Sequence, residues 1–152
     1  MSITKNEDGT YEVMFGIAEG VNQNGMLFRR EVIESELRRI NEDPCPLISE
    51  LGYPPTDDLD SRMVIHARLH DLHLERACGY ISDLKIVEGS PPMIVGTFEP
   101  ACKFGDAAIE MIDQKAPVRF GMRAMGFHRG HEGQEVMEVS RIRTWDLITK
   151  EE

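Results

Sequence analysis

Between Val118 and Arg123 the chain alternates without interruption: Val118, Phe120 and Met122 fall on one side, Arg119, Gly121 and Arg123 on the other. A period of two predicts a β-strand, and Ala124-Met125-Gly126 gives that strand a small-residue exit. A glycine inside a strand weakens pairing and marks either a bulge or a close approach of another group to the backbone. Arg119 and Arg123 flank Gly121 on its own face, so an open spot there would be ringed by positive charge. The plainer alternative is a core strand with two solvated arginines.

Other stretches carry equally simple signals. Tyr11 to Ala18 is rich in β-formers and predicts a strand, and the Asn- and Gly-rich run Gly20 to Phe28 predicts a loop. From Arg29 to Asn41, Val32, Ile33, Leu37 and Ile40 recur at helical spacing with charges opposite, an amphipathic helix that must stop before Pro44 and Pro46. That apolar stripe suits a core-facing side better than a docking face. Leu47 to Leu51 is a short apolar run that leads into the proline-stiffened turn at Tyr53-Pro54-Pro55, and Thr56 to Asp60 is an acidic loop. Ser61 to Leu74 reads either way: as a helix it puts His66, His70 and His73 on one face, as a strand it separates His73 from the other two. Ala77–Val87 and Met93–Phe98 predict a hairpin around Ser90-Pro91-Pro92. Ala107 to Gln114 predicts a helix with Ile109 and Ile112 on its buried side. Arg129 to Gly133 predicts an exposed turn, and Glu135 to Ile148 a closing strand carrying Val136, Glu138 and Ser140 on one side of its early alternation. Six or more strands with two or three inserted helices make an α+β fold, mainly an antiparallel sheet that is strongly curled or closed into a β-barrel.

A length of 152 residues suits a single domain with its own core, with residues 1–9 and 149–152 expected as flexible ends. The net charge of -10 argues against a nucleic-acid binder or a protein held on anionic membranes, because both need a cationic face. Cys45, Cys78 and Cys102 are odd in number and lack close pair spacing, which predicts reduced thiols in a cytosolic setting. The first nine residues have no apolar run, so no signal peptide is expected, and no segment approaches the ~18 apolar residues of a spanning helix.

The order of these pieces resembles the prohead protease family of tailed bacteriophages, in its myovirus branch, a distant relative of herpesvirus assemblin. The residues that carry the likeness run from about 10 to 148. Asn22-Gln23-Asn24 with Leu27-Phe28 stands for the family's Asn-x-Asn loop and following aromatic, and the helix to Asn41 follows it. Ser49-Glu50-Leu51-Gly52-Tyr53-Pro54 stands where Gly-Glu-Leu-x-His-Pro belongs. Leu74-Glu75-Arg76 and Ile81-Ser82-Asp83-Leu84 are similar to the family's hairpin. Arg119 to Gly126 resembles the Gly-Val-Ser-Ser-Arg-Gly-x-Gly strand, and Thr144-Trp145-Asp146 fits the closing strand.

The resemblance implies a single-domain fold of the prohead-protease and assemblin type and, in active members, peptide cleavage by a His-activated Ser. Here the His position is Tyr53 and the Ser position is Gly121; Arg123 is retained, and Asp60 sits roughly where an orienting acid would lie. Glycine has no side chain to acylate, and tyrosine, with a reference pKa near ~10, is a poor base at neutral pH. The expectation is therefore a catalytically degenerate member with no cofactor. It would be a head-assembly or virion structural protein in the host cytoplasm or the virion head. Its partners would be phage capsid, core or protease proteins, with a homodimer as one arrangement, and neither nucleic acid nor membrane. Two other readings stand beside it: an active protease with a relocated nucleophile, drawn from Ser61, Ser82, Cys78 or Cys102, and an acidic inhibitor directed at the host. His66, His70 and His73, with His128 and His131, are weak metal-ligand candidates, solvated histidines being the plainer reading.

Overall fold

In the computed structural model, residues 2–53, 68 and 71–149 are described. Among these residues, nine strands and two α-helices follow in the order β1 Ile3–Lys5, β2 Tyr11–Ile17, β3 Gly20–Val21, β4 Met26–Phe28, α1 Arg30–Glu42, β5 Leu47–Glu50, β6 Ala77–Val87, β7 Met93–Pro100, α2 Gly105–Asp113, β8 Val118–His131 and β9 Gln134–Thr149. They form two sheets, β1-β2-β7-β6-β5 and β3-β4-β9-β8. Pairing is antiparallel except between β4 and β9. The fold is α+β, as expected, but the sheets do not close into a barrel. They meet where the end of β5 reaches β9, through a parallel bridge between Leu51 and Leu147 and a Gly52 N–H that donates to the Leu147 carbonyl over 2.7 Å.

The inward faces pack an aromatic core. Phe120 on β8 meets Phe15 at 5.4 Å and Phe98 at 5.0 Å between ring centroids, both edge-on, and Trp145 on β9 lies 4.7 Å from Phe15. Edge-to-face pairs add to the burial these rings already supply. Helix α1 lays Ile33, Leu37 and Ile40 into this core. Its stripe is thus core, as its spacing suggests. Glu36 and Arg39 of α1 clasp β9 at one residue: Glu36 accepts from Ile142 N–H at 2.8 Å and Arg39 donates to the Ile142 carbonyl at 3.0 Å.

Four local expectations need correction. The run Gly20 to Phe28 is not all loop but a hairpin of β3 and β4, its turn tied by Asn22, whose side-chain oxygen accepts from the N–H groups of Asn24 and Met26. Helix α2 fully buries Gly105 and Ala108, because small residues let it sit close to the chain; Ile112 packs against the core as expected but, like Ile109, is only half-buried. A Cβ on Gly105 would lie 3.3 Å from the Pro100 carbonyl carbon. Strand β8 continues through Arg129, Gly130 and His131, and the turn is only Glu132-Gly133, both at positive φ as a tight hairpin demands. The alternation in β9 shifts after Glu138, so that Val139 is buried and Ser140 exposed, beside a register shift opposite Met125 and Gly126.

Truncation of Phe120 to Ala should cost about 3–5 kcal/mol, since it empties the middle of the aromatic cluster. The same change at Phe127, 48% exposed on the outer half of β8, should leave stability nearly unchanged. Urea denaturation of the two variants measures both.

Candidate functional site

The site forms where β5 runs past β8 and β9. In a strand, residues two apart share a face, so Gly121 and Arg123 stand together on β8, with Asp146 as the cross-strand partner of Gly121. Glu50 ends β5, and Tyr53 follows three residues later. Arg123 is 5% exposed and lies between two buried carboxylates: its Nε donates to Asp146 Oδ2 at 2.7 Å, and its Nη2 to Asp146 Oδ1 and Glu50 Oε2, both at 3.0 Å. Glu50 also accepts from Arg68 Nη2 at 2.9 Å and from the His73 N–H at 3.0 Å, and its own N–H donates to Asp146 Oδ1 at 3.2 Å. Arg76 Nε comes within 3.3 Å of Glu50 Oε1, near enough for attraction but not aligned as a hydrogen bond.

The two acids are driven apart. Burial pushes the Glu50 carboxyl up, but the hydrogen bonds from Arg68, the His73 N–H and Arg123 outweigh it and leave it below its ordinary value. Burial also raises Asp146, and there it prevails over the Arg123 bonds, with a value of about 6. Neither acid was singled out from the sequence as a site residue. Each lies inside a quoted motif, Ser49-Glu50-Leu51 and Thr144-Trp145-Asp146, but nothing in the spacing pairs them with Arg123.

Gly121 proves to be a point of close approach and not a bulge; the register shifts of β8 lie at Arg123/Ala124 and Met125/Gly126. A Cβ added to Gly121 would run into the Tyr53 hydroxyl, with Tyr53 Cζ at 2.7 Å and Ile148 Cδ1 at 2.6 Å. Tyr53 and Gly121 are therefore neighbours in space, 68 positions apart in the chain (121 less 53), and the phenol fills the room a side chain at 121 would need. Tyr53 borders a cleft of about 860 Å³, whose lining mixes the apolar Phe15, Met26, Phe28 and Met122 with the polar Glu19, Asn22 and Arg119.

The remaining candidates that are described do not join this cluster. Asp60, Ser61, His66 and His70 lie outside the described residues, as does most of the helix-or-strand segment from Ser61 to Leu74. His73 has extended backbone, not helical, and its side chain stands 3.3 Å from Glu75; a 3-10 turn, Leu74–Arg76, follows it. His128 and His131 are on the outer half of β8. Cys78 is buried against Ser49, its thiol pushed up to about 12 chiefly by burial, and Cys102 contacts the Tyr80 hydroxyl. Ser82 is exposed on β6.

The Peptidase S80 family model matches residues 2–151. Among solved structures the chain is similar to the bacteriophage T4 capsid assembly protease, gp21, with a TM-score of 0.71 at 19% identity, over 97% of this chain and 91% of that one. No curated protein matches. Among the described residues, no helix is long and apolar enough to cross a membrane.

The raised Asp146 carboxyl sets a pH dependence with a definite sign. Between its ordinary 3.8 and about 6 the folded chain holds this proton more tightly than the unfolded chain, so the contribution of Asp146 to stability falls as pH rises through that window. Glu50 acts the opposite way: its contribution is present above its ordinary 4.5 and is lost as pH falls below it. Carboxyl NMR titration should give Asp146 a midpoint near 6. Asp146→Asn should remove the part of the slope that opposes stability as pH rises between about 4 and 6, leaving the opposite contribution of Glu50. A midpoint at or below the ordinary value would contradict the burial argument.

Proposed function

Since the chain belongs to the Peptidase S80 family, we propose that it is a phage head-assembly protein that keeps the prohead-protease fold without the hydrolytic side chains. The observation that carries this reading is the contact between Tyr53 and Gly121. The family resemblance assigns these positions to the base and the nucleophile, and they do meet across β8. One holds a phenol and the other no side chain, so neither activation of a hydroxyl nor acylation can take place there. What is left is a scaffold and a cleft. A cleft of about 860 Å³ bordered by Tyr53, lined by apolar and polar residues together, suits retention of an extended segment of a capsid, core or protease protein without cutting it. Assembly within the phage head, in the host cytoplasm, is the setting that fits such a role.

A relocated nucleophile has less support. The Cys78 thiol, raised to about 12, is protonated at neutral pH, and its partner is Ser49, not a histidine. Cys102 pairs with Tyr80, which is no base at neutral pH.

Intact-mass spectrometry of the concentrated protein, with and without a fluorophosphonate probe, should show no adduct and no self-cleavage over a day; an adduct on any serine sinks the proposal. The contact itself predicts a pattern of stability. Gly121→Ser should destabilise by about 1–3 kcal/mol through overpacking against Tyr53. Tyr53→Ala combined with Gly121→Ser should cost less than the sum of the two single changes, because each relieves the other's defect.

A further inference from the structure

Strand β8 is an outer strand: β9 pairs with one of its edges, and no strand among the described residues pairs with the other. Its register shifts lie at Arg123/Ala124 and Met125/Gly126, so residues 126–131 run on to the turn as a regular ladder against β9. In such a ladder hydrogen-bonded and non-hydrogen-bonded pairs alternate. The two-residue turn Glu132-Gly133 closes on a hydrogen-bonded pair, His131 with Gln134. Counting back from it, Arg129 and Phe127 also bond to β9, while Gly130, His128 and Gly126 turn their N–H and C=O groups outward. All three are exposed, and among the described residues no backbone hydrogen bond outside the ladder reaches 126–131. Exposed edges are commonly blunted by lysine, proline or a bulge. This segment has neither lysine nor proline, and the bulges stand at its inner end. Phe127, Arg129 and Glu138, the cross-strand neighbour of Phe127, share one face. Phe127 is 48% exposed there. Glu138 accepts from Arg129 at 2.8 Å and from Arg29 at 2.9 Å, so its charge is fully met. The other face of the edge holds only His128 between two glycines, with Glu135 of β9 3.9 Å from it.

We propose that this edge pairs with the same edge of a second copy of the chain, antiparallel about a two-fold axis at His128. In that register the outward groups of Gly126, His128 and Gly130 meet those of Gly130, His128 and Gly126 in the other copy. Phe127 of each copy then lies opposite Arg129 of the other. These are the non-hydrogen-bonded pairs, whose side chains come closest, and a guanidinium against an aromatic ring is electrostatically complementary. That complementarity selects the occupant: Gly126-Phe127-His128-Arg129-Gly130, read against its own reverse, sets glycine on glycine and ring on cation. An axis at Arg129 would instead set two guanidiniums against each other. Charge also confines the contact to this edge. A chain of net charge -10 repels its own copy over most of its surface, but residues 114–131 contain no Asp or Glu. The first acid beyond them, Glu132, falls opposite Ala124 in this register and meets no acid. The inference concerns a different surface from the Tyr53–Gly121 cleft and does not depend on the absence of hydrolysis.

Sedimentation of the full chain over a range of concentrations should show a reversible equilibrium between monomer and dimer. Hydrogen exchange followed over the same range should slow severalfold at the amides of Gly126, His128 and Gly130 as the dimer forms. Phe127→Ala, at an exposed position, should weaken the dimer roughly tenfold through loss of both ring–cation pairs. His128→Pro should abolish it, because proline removes the central outward N–H, yet an edge strand tolerates proline where that N–H faces solvent. Its melting temperature at low concentration should match that of the parent chain. Should His128→Pro fail to fold, Phe127→Ala and the exchange pattern still decide. A chain that stays monomeric up to about 1 mM would overturn the proposal. So would a dimer untouched by Phe127→Ala, or one in which these three amides exchange as fast as in the monomer; either would place the contact elsewhere on the surface.

Discussion

Everything at the candidate site depends on one buried cation. Arg123, 5% exposed, is held by two carboxylates from which water is shut out. Burying a lone charge is prohibitive, and breaking a buried pair by removing one partner costs about 3–5 kcal/mol, so the three groups must arrive together or not at all. They come from three strands, and those strands belong to both sheets: Glu50 from the first, Arg123 and Asp146 from the second. The ion cluster, with the Leu51–Leu147 bridge beside it, is what joins the two sheets at this end. An aromatic core alone could let the sheets slide, because apolar contact is non-directional. The hydrogen bonds that Arg123 donates to Asp146 and Glu50 fix both position and angle.

That constraint also places Tyr53 and Gly121, the positions that the family resemblance assigns to base and nucleophile. Tyr53 lies three residues beyond Glu50 and Gly121 two residues before Arg123, so once the ion cluster sets β5 against β8 there is little freedom left in how the two meet. The same cluster holds the connecting chain, since Glu50 receives the Arg68 guanidinium and the His73 N–H while Arg123 donates to the Asp71 carbonyl. The 3-10 turn with Leu74 and Arg76 follows directly.

Much of this architecture can be read from the chain, and the limits have physical causes. Period-two and period-3.6 patterns reveal β2, α1, the β6–β7 hairpin and the inner half of β8, because each has one wet and one dry face. The β3–β4 hairpin escapes such reading: strands of two and three residues are too short to show a period, and Asn22, which ties their turn, looks the same in any loop. The outer half of β8 is polar and exposed on both sides, so Arg129 to His131 carry no strand signal. Helix α2 misleads because Ile109 and Ile112 outrank Ala108 in apolarity, whereas close packing favours the smaller residue. The family resemblance brings together Tyr53, Gly121 and Arg123, but the burial of Arg123 is not legible. An arginine in an alternating strand reads as solvated, and its partners Glu50 and Asp146 lie 73 and 23 positions away.

The division of labour within the site explains how a reaction could be lost while the fold is kept. The ion cluster is indispensable to the join between the sheets, and none of its members is Tyr53 or Gly121. Those two positions are coupled to each other by volume instead: the Tyr53 phenol, as placed here, leaves no room for a side chain at 121, and a side chain at 121 requires something smaller or differently placed at 53. A change at one would therefore be tolerated only with a matching change at the other, while the charges behind them stayed as they were. On the proposed reading, this chain has made that paired exchange. On that reading the positions of nucleophile and base are filled by a mutually packed phenol and glycine, while the buried arginine still aligns the strands beside them.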